Sequence, residues 1–237
     1  MPTALPETNL SSWLALLRDD WLQGEHVAFL GPTGSGKTSL ALKVLDIREY
    51  VVTFGFKQYD DSLQDFKRAG YRILRDWPPP YNVKRSILWI KPTELNEVAA
   101  QKALAYKAFS GIFRSGGWTP FLDDTGFATG ILKLQTPLAV MLNQGRSSHI
   151  SSVVALTQPR SVIQRIPSET LRQVQHKIVF KYDDEDDVRA AAAICGRHWT
   201  QLQDWMGRLD RYQGKAGYFS DFLAVSRGQV TIVRQGE

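Results

Sequence analysis

Cysteine is nearly absent from this chain of 237 residues, because Cys195 is the only one. A single cysteine excludes an internal disulfide and any metal cluster built from several cysteines. Cys195 follows four alanines and an isoleucine, and a glycine comes after it. In that setting we expect a small buried apolar residue and not a catalytic thiol.

Long hydrophobic runs are also missing. No apolar run approaches the roughly eighteen residues of a membrane span, and residues 1–9 lack the basic and then apolar pattern of a signal peptide. The chain shows no internal repeat and no low-complexity linker. We therefore expect a cytoplasmic protein.

The overall composition is that of an ordinary globular enzyme. Hydrophobic residues make up 43% of the chain, enough for one α/β domain with a buried sheet, so we predict a single domain over residues 1–237. The formal charge of +5 permits contact with a polyanion but does not by itself predict one.

The segment Gly31–Thr38, GPTGSGKT, has the pattern of a phosphate-binding loop. An apolar run precedes it and a helical pattern follows it, so its backbone N–H groups and the helix dipole would both face a triphosphate. Lys37 is expected to reach the β- and γ-phosphate oxygens, and Thr38 to hold Mg²⁺. The alternative, a glycine-rich connecting turn, would leave Lys37 without an anion. The predicted nucleotide contacts are Gly31, Pro32, Thr33, Gly34, Ser35, Gly36, Lys37, Thr38 and Ser39.

Strand and helix patterns alternate along the chain. The predicted strands are 26–30, 50–54, 71–74, 86–90, 118–122, 150–157 and 177–182, with a C-terminal strand pair within 216–237. An amphipathic helix is predicted within 1–24, residues 56–92 resemble an insertion, and further helices are predicted at 39–45, 93–114, 130–143 and 168–174. Thr93 is the predicted cap of the helix 93–114, with Asn96 in its first turn. This alternation predicts a mainly parallel sheet covered by helices on both faces.

A run of five acidic residues occupies 183–187. It could be taken for a metal site, but a helix is predicted to begin at Val188 immediately after it. Acidic groups at a helix N-terminus are favoured by the helix dipole. We therefore predict solvated capping residues here.

An apolar strand within 118–125 ends in two carboxylates, Asp123 and Asp124. A carboxylate at the carboxyl end of a parallel strand lies beside a phosphate loop. Asp123 is thus expected to bind Mg²⁺, and Asp124 to orient or deprotonate the attacking water, as in a Walker B element. Two aspartates after a strand can also simply begin a turn. The presence of a phosphate loop in the same chain favours the catalytic interpretation.

Gln158 follows the predicted strand 150–157. In nucleotide hydrolases with an extra strand between the phosphate loop and Walker B, a polar residue at this place contacts the γ-phosphate or the lytic water. We predict that sensor role for Gln158. The alternative is a surface glutamine that begins the loop before Pro159.

The order of four segments resembles the FtsK–HerA superfamily of RecA-like DNA-pumping ATPases, which includes the genome-packaging ATPases of membrane-containing viruses with double-jelly-roll capsids. The segments are GPTGSGKT, FLDD, GRSSHISSVVALTQPRS and ETLRQVQHKIVFK, within Glu25 to Tyr182. The pair Asp123-Asp124 resembles the Walker B element of the viral packaging branch more than it resembles the Asp-Glu pair that is usual in cellular members. The resemblance implies a RecA-like (ASCE) P-loop NTPase fold.

The resemblance also implies roles for individual residues. Lys37 and Thr38 match the Walker A ligands of ATP and Mg²⁺, Asp123 and Asp124 match Walker B, and Gln158 matches the sensor. Arg146 matches the arginine ahead of the sensor strand and is the first candidate for a finger that reaches a neighbouring subunit, unless it only complements a helix dipole. The other candidates are Arg160, Arg165 and Arg172.

The function implied is a Mg²⁺-dependent ATPase that forms a hexameric ring and moves double-stranded DNA into a viral capsid. Its expected location is the host cytoplasm or the packaging vertex, with capsid vertex or portal proteins as partners. The regions that larger members add, a membrane segment, an N-terminal barrel or a winged helix, are not found in this sequence. Sequence-tolerant DNA contacts are expected from basic residues, each of which could equally be ordinary surface charge. These are Lys57, Lys67, Arg68, Lys84 and Arg85.

Three other functions remain open at this point. A Zot-like phage assembly ATPase shares the phosphate loop and a strand ending in Thr-Gln, but such proteins usually carry a membrane span. A P-loop kinase for small molecules would have less need of a Walker B strand followed by a sensor strand. A nucleotide-gated scaffold would not require Lys37, Thr38, Asp123 and Asp124 together.

Overall fold

A computed structural model of the chain describes residues 5–92, 94, 97–214 and 217–236. Its strands are β1 (Glu7–Asn9), β2 (Val27–Leu30), β3 (Val51–Gly55), β4 (Arg72–Leu74), β5 (Arg85–Trp89), β6 (Thr119–Leu122), β7 (Val153–Leu156), β8 (His176–Val179), β9 (Arg211–Gly214), β10 (Gly217–Ser220), β11 (Phe222–Ser226) and β12 (Gln229–Arg234). Within the described residues, ten of these strands form one sheet in the order β1-β12-β11-β8-β2-β7-β6-β3-β5-β4, and β9 pairs with β10 separately.

The seven strands from β8 to β4 in this order run parallel. Strand β7 lies between β2, which leads into the phosphate loop, and β6, which ends before Asp123. The register aligns Val27 with Val153 and Leu30 with Leu156. Because the strands are parallel, β2, β7, β6 and β3 all end on one side of the sheet. We call this side the carboxyl edge and the opposite side the amino edge.

Helices cover both faces of the sheet. They are α1 (Leu10–Asp20), α2 (Lys37–Leu45), α3 (Ser62–Arg68), α4 (Val98–Ser115), α5 (Thr125–Gly130), α6 (Gln135–Gln144), α7 (Pro159–Ile163), α8 (Ser168–Arg172), α9 (Glu185–Cys195) and α10 (Trp199–Met206), with a short 3₁₀ helix at Gly145–Ser148. Alternate residues of β2 enter different cores: Ala28 and Leu30 pack with α4, α6, α9 and α10, whereas Val27 and Phe29 pack with α1, α2 and α3. The predicted fold class is therefore confirmed.

The N-terminal segment contains a strand as well as the expected helix. Helix α1 is capped by Asn9, whose Oδ1 accepts a hydrogen bond from the N–H of Ser12 at 2.9 Å. The preceding strand β1 pairs in parallel with β12, so the two ends of the chain meet at one end of the sheet. Three residues are too short a segment to show a strand pattern in the sequence.

Residues 56–92 contribute two strands to the central sheet. Strand β5 pairs with β3, and β4 pairs with β5, all in parallel. The crossover helix α3 buries Leu63 and Phe66 in the same core as α2. The short strands and the proline-rich connector hid this regular βαβ arrangement from sequence analysis.

The other boundaries differ locally from expectation. The start of the helix predicted at 93–114, with Thr93 and Asn96, lies outside the described residues, and α4 begins at Val98. The helix predicted at 130–143 corresponds to α6, which begins only at Gln135, after a turn with Lys133 at φ +55°, and the preceding helix α5 was not predicted. The expected C-terminal pair is β11 and β12, which are antiparallel, whereas β10 pairs with the unpredicted β9.

The acidic run caps helix α9, as predicted. Oδ1 of Asp184 accepts a hydrogen bond from the N–H of Asp187 at 2.9 Å, and Glu185, Asp186 and Asp187 fill the first turn. At the other end of this helix, Cys195 packs partly buried against the core, and burial raises the pKa of its thiol to about 12. Such a thiol is not a nucleophile near neutral pH. Among the described residues, no helix is both long and apolar enough to cross a membrane.

Candidate nucleotide-binding site

The phosphate loop leaves β2 at the carboxyl edge and enters α2 at Lys37. Gly36 has φ +91°, a left-handed conformation that suits glycine, at the point where the helix starts. Gly31 is needed for a different reason: a Cβ there would lie 2.7 Å from Oγ of Ser35 and 2.8 Å from Cβ of Phe180. The loop therefore folds back on itself as closely as a glycine allows.

The carbonyl of Leu156 fixes the start of the loop to the neighbouring strand. It accepts a hydrogen bond from the N–H of Gly31 at 3.2 Å and one from the hydroxyl of Tyr182 at 2.9 Å. Burial raises the pKa of Tyr182 well above its ordinary value, so this hydroxyl remains a donor. The loop is thus tied to the end of β7 before any ligand binds.

Lys37 lies in the centre of the loop with 7% of its surface exposed. Its Nζ donates hydrogen bonds to the carbonyls of Gly31 and Pro32, both at 2.7 Å. Burial lowers the pKa of Lys37 to about 8, and the nearby carboxylates of Asp123 and Asp124 oppose that fall. A buried ammonium held by neutral carbonyls is well placed to pair with an anion.

Thr38 and Asp123 join the two predicted motifs directly. The hydroxyl of Thr38 donates to Oδ1 of Asp123 at 2.8 Å, although 85 positions separate the residues in the sequence. Burial raises the pKa of Asp123, and the bond from Thr38 partly offsets that rise. One hydroxyl and one carboxylate at this distance present the oxygen ligands that Mg²⁺ takes in proteins.

Asp124 follows Asp123 but faces another partner. It is the N-cap residue of α5, and its Oδ1 accepts a hydrogen bond from the N–H of Phe127 at 2.9 Å. Asp124 also lines the same cleft as the phosphate loop. The described residues around this cleft enclose about 430 Å³.

Two further residues line this cleft that sequence analysis did not assign to it, Lys57 and Thr157. Lys57 follows β3 and was predicted to contact DNA. The sequence contained the necessary signal, because a residue just after a parallel strand lies at the carboxyl edge with the phosphate loop. Thr157 directly precedes the predicted sensor.

Gln158 is exposed and is the N-cap residue of α7, with φ −122° and ψ 84°. Its carbonyl accepts hydrogen bonds from the N–H and the hydroxyl of Ser161. The cleft lining includes its neighbour Thr157. Strand β7, which ends just before both residues, does lie between the phosphate-loop strand and the Walker B strand, as expected for the extra strand of such hydrolases.

Arg146 is exposed in the 3₁₀ helix that precedes β7. Since the phosphate loop follows β2 and β2 is parallel to β7, Arg146 lies at the amino edge, across the sheet from its own nucleotide cleft. The alternative arginines differ in their contacts. Arg160 pairs with Asp186 at 2.5 Å, Arg165 donates to the carbonyl of Ser161, and Arg172 donates to that of Ala193.

The other basic residues predicted to contact DNA form ion pairs with nearby acids, except for Lys67, which is exposed on α3. Lys84 pairs with Glu49 and Arg85 with Asp46, both at 2.5 Å and both at the amino edge, while Arg68 pairs with Asp65 on α3 at 2.8 Å. Exposed pairs of this kind contribute little stability. They do not form one surface with Lys57, which lies at the carboxyl edge.

Comparison with known proteins identifies the fold. No protein-family model matches the sequence, and no curated protein sequence matches it significantly. Among solved structures, the DNA-packaging ATPase of Sulfolobus turreted icosahedral virus matches with a TM-score of 0.61 and 15% identity, over 90% of this chain and 98% of that one.

The genome-packaging NTPase of Sulfolobus turreted icosahedral virus 2 is also similar. Its complex with AMPPCP matches with a TM-score of 0.58 and 12% identity, over 90% of this chain and 98% of that one. Its complex with AMP gives a TM-score of 0.55, again at 12% identity, over 89% and 97%. The chain thus has the RecA-like P-loop NTPase fold, in agreement with the resemblance seen in its sequence.

Proposed function

We propose that this chain is a Mg²⁺-dependent ATPase that moves double-stranded DNA and packages a viral genome. The observation that carries the proposal is the 2.8 Å hydrogen bond from Thr38 to Asp123, which brings the two halves of a phosphoryl-transfer site together. The likeness to two viral packaging NTPases over nearly their whole length supports it.

The loop fits a triphosphate. Oγ of Ser35 is buried and has no hydrogen-bond partner among the described residues, and Lys37 is a buried cation beside it. An unpaired buried hydroxyl is costly, and a phosphate oxygen would accept from it. Thr38 and Asp123 would hold Mg²⁺, which when bound neutralises charge on the β- and γ-phosphates.

The remaining roles follow from position. Lys37 binds and orients the terminal phosphates. Asp124, fixed by its bond to the N–H of Phe127, is placed to accept a proton from water or to orient it. Gln158 is proposed as the sensor of the γ-phosphate, acting from the end of the strand next to the phosphate loop.

A ring supplies the arginine that the cleft needs. Arg146 lies at the amino edge and is exposed, so it can reach a nucleotide only in another subunit. In a head-to-tail ring each subunit presents this edge region to the next, and the contact repeats around the closed assembly. We propose a hexamer, with double-stranded DNA in its pore and capsid vertex or portal proteins as its docking partners in the host cytoplasm.

The test is the steady-state ATPase rate of the wild type and of Lys37→Ala, with and without long double-stranded DNA, at low and moderate salt. We expect hydrolysis that requires Mg²⁺, rises with DNA of any sequence, weakens as salt increases and disappears in the variant. Hydrolysis that is robust but indifferent to DNA would refute translocation and would favour a protein-export motor or a kinase.

A further inference from the structure

Lys57 is a cation in the nucleotide cleft for which the phosphate loop and the Walker B strand do not account. It lies two residues after β3 and lines the cleft together with Lys37, Asp123 and Asp124. The sequence predicts a DNA contact for Lys57, but the structure places it in the cleft that the phosphate loop lines.

The side of the cleft from which Lys57 enters is set by the strand order. The phosphate loop follows β2, Asp123 follows β6, and Lys57 follows β3, with β6 lying between β2 and β3. Lys57 therefore approaches from beyond the carboxylates, whereas Lys37 approaches from the phosphate loop. A terminal phosphate held beside Asp123 would lie between two ammonium groups.

The charge of Lys57 acts on both of the groups that face it. Lys57 shares the cleft with the carboxylate of Asp123, which attracts it, and with the ammonium of Lys37, which repels it. The two lysines repel each other across the cleft, so an added anion would relieve the repulsion.

The backbone at Lys57 is anchored while its side chain is exposed. Nε1 of Trp89 donates to the carbonyl of Lys57 at 2.9 Å, and the N–H of Ile90 donates to the carbonyl of Gly55 at 2.8 Å. The guanidinium of Arg75 lies 5.1 Å from the ring centroid of Trp89, the residue that donates the hydrogen bond to Lys57. A flexible side chain on a fixed base can reach the cleft without moving the loop.

We propose that Lys57 is a ligand of the terminal phosphate within its own subunit and that it distinguishes a nucleoside triphosphate from a diphosphate. This inference rests on the proposed nucleotide site but not on DNA translocation. Lys57 would contact the γ-phosphate only, because the phosphate loop already surrounds the inner phosphates. A charge-assisted contact of this kind favours the triphosphate by about tenfold or more.

The experiment measures the affinities of AMPPCP and ADP in the presence of Mg²⁺, by calorimetry, for the wild type, Lys57→Ala and Lys57→Arg. The matched control is Lys102→Ala, which removes an exposed lysine from α4 outside the cleft. We expect Lys57→Ala to lose about tenfold or more in AMPPCP affinity and less than about twofold in ADP affinity. Lys57→Arg should recover part of the loss, and the control should bind both like the wild type.

Each contrary outcome is distinct. Equal losses for AMPPCP and ADP, or no loss for either, would overturn the role of Lys57 while leaving the nucleotide site in place. Unchanged nucleotide affinity with weaker binding of double-stranded DNA would overturn it in favour of a DNA contact. If the wild type binds neither nucleotide, the proposed function itself is wrong. Thermal melting of each variant separates these results from misfolding, and Lys57→Met provides a second uncharged side chain of similar length.

Discussion

Asp123 and Asp124 are adjacent in the chain, but their carboxylates accept hydrogen bonds from different parts of the structure. Asp123 accepts a hydrogen bond from Thr38 across the cleft, whereas Asp124 accepts one from Phe127 in the helix that it caps. A turn that begins immediately after β6 separates the two side chains in this way. Two carboxylates in sequence therefore have different partners, and substitutions can separate their roles.

Replacing Asp124 tests the division directly. Asparagine is as good an N-cap as aspartate, so Asp124→Asn should leave the melting temperature nearly unchanged while the ATPase rate falls on the order of 100-fold through loss of the base. Asp124→Ala should lose the cap as well, at about 1 kcal/mol of stability. Steady-state hydrolysis and thermal melting measure the two effects. An Asp124→Asn variant with the wild-type rate would exclude Asp124 from proton transfer.

Gly31 should not tolerate even one methyl group. In Gly31→Ala the new Cβ would meet Phe180, which is fully buried and cannot retreat, so the loop has to shift. We expect nucleotide affinity to fall by about tenfold or more, since the loop's N–H groups lose their alignment. Gly126→Ala is the matched control, because its Cβ would meet only Oδ1 of Asp124 at 3.6 Å. Equal affinities for the two variants would show that the loop adapts.

The place of Arg146 at the amino edge predicts complementation between subunits. Arg146→Ala and Lys37→Ala should each be inactive alone, while an equal mixture should regain activity because a Lys37 from one subunit meets an Arg146 from the next. Random mixing would complete about a quarter of the interfaces of a head-to-tail ring. If Arg160→Ala, Arg165→Ala or Arg172→Ala is inactive alone and recovers in the mixture, while Arg146→Ala is active alone, the finger is that arginine instead.

The burial of His26 predicts that the protein loses stability in acid. Its Nδ1 accepts a hydrogen bond from the N–H of Ser152 at 2.9 Å, and burial lowers its pKa to about 4 from an ordinary value of 6.5. The unfolded chain then binds a proton that the folded chain does not, so stability present above pH 6.5 is lost as the pH falls toward 4. The loss by pH 4.5 is roughly 2–3 kcal/mol.

Urea unfolding at pH 7.5 and 4.5 measures this loss. His26→Asn keeps an acceptor near Nδ1 but does not titrate, so its stability should change less between the two pH values than that of the wild type. Glu25 and His176, which hydrogen-bond each other nearby, titrate in both proteins and therefore cancel in the comparison. The same pH dependence in both proteins would assign it to groups other than His26.

Several features of this protein follow from local sequence alone. The phosphate loop is defined by eight consecutive residues, because its glycines and its lysine act within a few residues of one another. The capping of α9 by the acidic run is equally local, since an N-cap bonds a backbone group three residues away. The alternation of strands and helices was sufficient for the fold class, since parallel strands need helical crossovers.

The short strands, and the pairing of strands that are far apart in the sequence, could not be predicted from local sequence. Strand β1 has only three residues and is stabilised by β12, more than 200 positions away. The two strands in 56–92 pair with each other, and β5 also pairs with β3, although a proline-rich segment separates β4 from β5 in the chain. Their pattern was too short to show which neighbour each would choose.

The sequence by itself therefore determined the phosphate-loop pattern and the class of fold that presents it. Only the tertiary structure decided which side chains share the cleft. Strand order placed Lys57 beside Asp123 and placed Arg146 on the far edge, because crossovers set the neighbours in a parallel sheet independently of their separation along the chain. The phosphate-loop motif is therefore visible in a few consecutive residues, whereas the set of residues that lie close together depends on the folded sheet.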